Sequence, residues 1–191
     1  MANKNNLGFR YAYNLHGGTE PVQRFPIDSS NGTNVFVGDV VANNAAGSVR
    51  PAAADAGVTV VGIVKALYDS NGVPIGSPGA SVSTKYLPSS TAGYADVTLA
   101  LPTVVFVAQV QAGTVSSVAA IFASLDHVAG VGDTTTSTSG HELNGTTLNT
   151  EAQCQILGKV AEPGNDYGAD VDVYVRFLES MWGQVNPTTG V

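Results

Sequence analysis

The chain has 191 residues, of which 12% are charged, and a formal net charge of −7 at pH 7. That length buries a core without covalent staples, and the lone Cys154 excludes an intrachain disulfide. The acidic balance argues against nucleic-acid binding, which needs clustered Lys and Arg.

The charge is unevenly placed. Residues 1–24 carry Lys4, Arg10 and Arg24 against Glu20, a sum of +2, so the remainder carries −9. No Lys or Arg stands between Lys85 and Lys159. Soluble domains are usually about 25% charged. Half that fraction, with 22 glycines and abundant Ser and Thr, fits a chain packed against neighbours. The start, Met1-Ala2-Asn3-Lys4, is followed by no apolar stretch, so no secretory signal and no membrane span are expected. Asn31-Gly32-Thr33 and Asn144-Gly145-Thr146 therefore read as Asn-Gly turns rather than glycosylation sites.

Residues 1–32 lack a clear period and read as an extended arm broken by Gly17-Gly18, Pro21 and Pro26. If residues 9–13 are extended, Phe9, Tyr11 and Tyr13 share one face, to be covered by the chain's own body or by a neighbouring subunit. Residues 33–41 and 58–68 predict strands, because β-branched runs are bounded there by Gly, Asn and Asp. Gly38 marks a bend in the first. Asp69-Ser70-Asn71-Gly72 predicts a hairpin turn; it lacks the downstream glutamate of a calcium loop. Val73-Pro74-Ile75 starts a return strand, and 76–93 is an excursion.

Residues 96–101 and 103–110 predict a hairpin. Val118, Ile121, Phe122 and Leu125 fall at helical spacing, so 116–125 is the one expected helix, short and N-capped by Ser. Residues 126–150 read as a charge-poor loop. Residues 151–160 and 170–178 predict the last strands, the latter alternating Asp170, Asp172 and Tyr174 with Val171, Val173 and Val175. The fold class is all-β: an antiparallel β-barrel or β-sandwich with an extended N-terminal arm and at most one short helix. The expected division is an arm over 1–32, the domain over 33–180 and a tail over 181–191.

No motif carries catalysis, a cofactor or a metal. His16, His127 and His141 are scattered in expected loops without metal-ligand spacing. Asp126-His127 reads as a solvated loop pair. No Gly-x-Ser-x-Gly elbow and no phosphate loop appear. Cys154 reads as a small buried apolar side chain. The chain is therefore not expected to be an enzyme.

Gly38-Asp39-Val40-Val41, Val49-Arg50-Pro51-Ala52 and Val60-Val61-Gly62-Ile63, in that order, carry a resemblance, joined by Thr134-Thr135-Thr136, Ser139-Gly140-His141-Glu142-Leu143, Ile156-Leu157-Gly158-Lys159-Val160 and Asn165-Asp166-Tyr167-Gly168. Over most of residues 8–178 the chain resembles the capsid decoration (cement) proteins of tailed bacteriophages, and is similar to virion proteins of short-tailed aquatic phages. The 76–93 excursion and the Trp-bearing tail match no part of that pattern. The resemblance implies a virion location on the phage head surface and a role stabilising the shell across neighbouring major capsid protein subunits. It implies no catalytic residues. A homo-oligomer, dimer or trimer, is expected, with no nucleic-acid or membrane partner. Aromatic residues and Arg dominate interface energetics, so Phe9, Arg10, Tyr11, Tyr13, Arg24, Phe25 and Trp182 are the expected capsid or subunit contacts. The alternative is a head-fibre base or a glycan-binding module presenting the 133–150 loop.

Overall fold

The computed structural model describes residues 7–44, 47–54, 58–111, 115, 117–148 and 153–183. Twelve strands are described: β1 (Arg10–Asn14), β2 (Val22–Ile27), β3 (Val40–Asn43), β4 (Val49–Pro51), β5 (Val60–Asp69), β6 (Gly93–Leu99), β7 (Val104–Gln111), β8 (Ser124–Leu125), β9 (His127–Asp133), β10 (Thr138–Asn144), β11 (Cys154–Lys159) and β12 (Asp172–Phe177). They form two sheets. The larger runs β8-β11-β12-β7-β10-β9, with β1 also on β7; the smaller runs β2-β6-β5-β3-β4. Every pairing is antiparallel except β7 with β10, which meet at Val110 and Gln111. The expected all-β class holds, and among the described residues no helix is long and apolar enough to cross a membrane.

The sheets face each other across one core. Phe106, Val173, Val175 and Phe177 from the larger sheet meet Val40, Ala42, Val60 and Ile63 from the smaller. A second core covers the other face of the smaller sheet, where Val61, Val64, Leu67 and Val97 pack with Val35 and Leu87. The continuous apolar run Val60–Val64 follows from this, since a strand buried on both faces need not alternate. A register shift opposite Val41 and Ala42 lets Val60 and Ile63 serve one core while Val61 and Val64 serve the other. β12 has one solvated face and keeps the period of two that its sequence shows.

The expected arm is part of the body. β1 pairs with β7, and β2 pairs with β6 from Val22↔Thr98 to Ile27↔Gly93. Pro26 is tolerated because β2 is an edge. Residues 1–6 and 184–191, at the ends of the expected arm and tail, lie outside the described residues.

Four further expectations change. The run 33–41 is broken: Val35 bridges to Leu87, residues 36–39 turn, and the strand starts at Val40. Gly38 makes that turn at φ 94, conformational space that a side chain disfavours, and its N–H donates to Val64 O. The expected helix is a 3-10 turn over Val118–Ala120, capped by Ser117, and then β8. Its apolar residues share no buried face: Leu125 is in the core, whereas Val118 is 66% and Phe122 72% exposed. The chain is captured instead by β11, where Phe122 N–H donates to Ile156 O and Ile156 N–H to Ala123 O. Third, much of the expected 126–150 loop is the β9–β10 hairpin. Return strand 73–75 is reduced to a bridge, Tyr68↔Pro74. The Asn71-Gly72 turn holds, with Asp69 accepting from the N–H groups of Asn71, Val73 and Ser81 and from the Ser81 hydroxyl. A carboxylate surrounded by donors staples the excursion and has no lone pairs to spare for a cation.

Candidate functional site: a polar junction and the cleft above it

The residues that gather chemistry lie where the two sheets meet. Asp39, at the turn before β3, faces Ser139 and His141 on β10. Ser139 Oγ donates to Asp39 Oδ1 at 2.6 Å, and Phe36 N–H donates to Oδ2 at 2.8 Å. His141 Nδ1 accepts from Val40 N–H at 3.3 Å, which leaves its proton on Nε2, 3.8 Å from Asp39 Oδ1. His127, at the start of β9, stacks on His141 with ring centres 5.5 Å apart. Its Nδ1 lies 2.5 Å from Gln153 Oε1, and its Nε2 lies 3.5 Å from Ala52 O. The four polar side chains Asp39, His127, Ser139 and His141 are all buried.

Burial sets their protonation. It pushes the Asp39 carboxyl up to about 7, against the opposing pull of the Ser139 and Phe36 donors. Burial holds His141 down to about 3, with His127 beside it adding to the effect. Burial lowers His127 too, opposed by its bonds to Gln153 and Ala52. His141 is therefore neutral, and the contact with Asp39 is not an ion pair. The wiring agrees: a second ring proton on Nδ1 would point at Val40 N–H.

Ser, His and Asp side by side suggest an activated nucleophile, but the connections differ. The Ser139 hydroxyl donates to Asp39 and accepts from His141 backbone N–H at 3.1 Å, so no imidazole nitrogen is placed to take its proton. The cluster instead ties loop 36–39 and β3 to β10. No group of three or more His, Cys, Asp or Glu side chains suited to a metal occurs among the described residues.

Above the junction lies a cleft of about 710 Å³. Its walls come from three stretches far apart in sequence: residues 30–34, 50–53 and 129–132, with Phe36, Asp39 and His141 at its base. Arg50 is exposed in one wall and makes no ion pair among the described residues.

The expected contact residues do not converge. Phe9 is 1% exposed and stacks on Phe177 at 5.6 Å, so its face is covered by the chain's own body and it is unavailable to a partner. Tyr11 packs against the same core. A register shift between Tyr11 and Tyr13 turns Tyr13 outward, where it meets Tyr174 edge-on. Arg10 pairs with Asp172 at 3.6 Å. Arg24 makes a two-pronged contact with Asp96 and lies over the Tyr68 ring. Phe25 packs against the second core. Trp182 is partly exposed, its indole N–H donating to Val61 O at 2.7 Å. Asp126-His127 is not a solvated pair, because His127 is buried. Of the 133–150 stretch, Ser139–Leu143 is buried, and among the described residues the turn at 133–136 and Thr146 are exposed. The Asp39–His141 contact, a hundred residues apart in sequence, has no local signal.

No family model matches the chain, and neither a curated protein nor a solved structure matches it.

Proposed function

We propose that this chain is a structural virion protein, a decoration or cement protein that binds the outside of a phage head across neighbouring major capsid protein subunits. The observation that carries the reading is an apolar end surface. Leu15 is 51% exposed, and its N–H donates to Thr103 O. At the same turn Pro102 lies close to Gly183, which directly follows the exposed Met181 and Trp182. Leu15, Pro102, Met181 and Trp182 thus flank one turn with no charged side chain among them. Aromatic residues and Met are enriched in interface cores, where charged groups are depleted. The low overall charge and the resemblance in residues 38–63 support the same reading. Many copies, each adding a modest interface, stabilise a shell without any single tight contact.

Sedimentation with undecorated shells tests it. The protein is expected to pellet with shells and to raise their heat resistance. Leu15→Glu with Met181→Glu is expected to weaken that binding roughly 10-fold or more, as loss of interface anchors does, with an unchanged circular-dichroism spectrum. Failure to bind any shell, with no gain in shell stability, excludes the cement reading.

A further inference from the structure

The cleft above the junction offers a second binding surface, independent of the shell-binding reading. Its walls are runs of consecutive residues: 30–34, 50–53 and 129–132. Successive side chains of a strand point to opposite faces, so a wall lined by four consecutive residues of β9 is lined by its backbone edge. β9 is the last strand of its sheet, paired only with β10. Among the described residues, no other backbone hydrogen bond engages 129–132.

The other sheet ends are blunted. β1, which pairs only with β7, carries the Arg10–Asp172 pair and a register shift, β2 carries Pro26 and the Arg24–Asp96 pair, β4 has three residues ending in Pro51, and β8 has two. Such devices keep edges from recruiting another strand. β9 has seven residues and, before Asp133, no charge, no Lys and no Pro; its Val131 is 98% exposed. A long, unguarded edge beside a concave space is suited to an added strand.

The opposite wall indicates the strand's charge. Asp39 is occupied by Ser139 and Phe36, so a ligand meets the Arg50 guanidinium, which makes no ion pair among the described residues, rather than a carboxylate. Asn34 uses Oδ1 to accept from Ser89 N–H, which turns its amide N–H groups to serve as donors. A cation and amide donors suit a ligand rich in acceptors. The volume, about 710 Å³, is in the usual range of about 300–1,000 Å³ for binding sites, and the four-residue edge is about 13 Å long at the usual rise per residue. We propose that this cleft binds an extended acidic peptide segment, which adds as a strand to the free edge of β9 and sets a carboxylate against Arg50.

The probe is an acetylated and amidated octapeptide of alternating Thr and Val with one central Glu, titrated into 15N-labelled protein. The expected result is saturable binding with amide shifts concentrated at 129–132 and 50–53. N-methylation of alternate peptide amides in one frame, removing the bonds to β9, is expected to weaken binding roughly 10-fold, and in the other frame to leave it unchanged. Arg50→Ala is expected to weaken it roughly 3- to 5-fold, and replacing the peptide's Glu by Lys to do the same, with no further loss when both are combined. The spectrum of the Arg50→Ala protein reports its folding directly. Shifts centred elsewhere, equal binding by both N-methylated peptides, or no saturation up to about 1 mM overturns the proposal.

Discussion

Replacing Asp39 by asparagine is expected to stabilise the protein at pH 8 by about 1–3 kcal/mol and to change little at pH 5. The buried Asp39 carboxyl is pushed up to about 7. A folded-state value above the ordinary 3.8 means the native state holds this proton more tightly than the unfolded chain does. The stability it contributes is fully present below about pH 4 and is lost as pH rises through 7. At pH 8 the wild type carries a buried, ionised carboxylate, and a tenfold difference in proton affinity between the folded and unfolded states corresponds to about 1.36 kcal/mol. Asparagine keeps an acceptor for Phe36 N–H and gives Ser139 an N–H to accept from, without the charge. The histidines act in the opposite sense. His127 and His141 are both lowered, so the native state prefers them neutral, and stability falls as pH drops below 6.5. Below about pH 6.5 the unfolded chain takes up protons at these two rings more readily than the native state does, which opposes the Asp39 contribution as pH falls. Urea unfolding at pH 5 and pH 8 checks this; an equal effect of the substitution at both pH values would show that Asp39 is ionised in neither or in both.

How much of the molecule is legible in its sequence depends on whether a signal is local. The hairpin turn at Asn71-Gly72, the strand at Val60–Asp69 and the alternation of Asp172–Phe177 are readable, because turn chemistry and side-chain period are properties of neighbouring residues. The helical spacing over 116–125 misleads for a physical reason. Val118, Ile121, Phe122 and Leu125 satisfy it, but the backbone around Phe122 bonds to β11, and tertiary pairing outweighs a weak local pattern. β9 and β10 are hidden by their glycines. Gly130 faces Gly140 so closely that a Cβ on Gly130 would come within 2.1 Å of Gly140 O. Residues of low strand propensity are thus required there by close approach. His127 and His141 look like loop histidines because their partners, Gln153, Ala52, Val40 and Asp39, are distant in sequence. The cleft is illegible for the same reason, since three remote backbones build it.

Phe9→Ala is expected to cost about 3–5 kcal/mol, and deleting residues 1–24 to abolish the fold. Were residues 1–32 an arm, they would be dispensable to the body, and Phe9 would matter only to a partner. In the structure Phe9 is buried between the sheets, stacked on Phe177, and Phe177 in turn meets Phe106 edge-on at 5.6 Å. Truncating Phe9 therefore leaves a cavity inside a three-ring stack whose other members are fixed by β7 and β12. Deletion of 1–24 goes further. It removes β1, exposing the Val104–Val107 edge of β7, and half of β2, exposing the Asp96–Thr98 edge of β6. Both exposed edges contain valine, so the truncated chain is expected to aggregate. Thermal melts of the Phe9→Ala protein, alongside Tyr13→Ala as a control on the outer face, separate the two readings. Tyr13 is exposed and loses only its edge-on contact with Tyr174, so its cost is expected to stay below about 1.5 kcal/mol. Equal, small costs at both positions would mean that residues 7–14 do pack as an arm on the surface. A large cost at Phe9 alone means that the two sheets need this segment to close, and that any partner must be met by surfaces outside it.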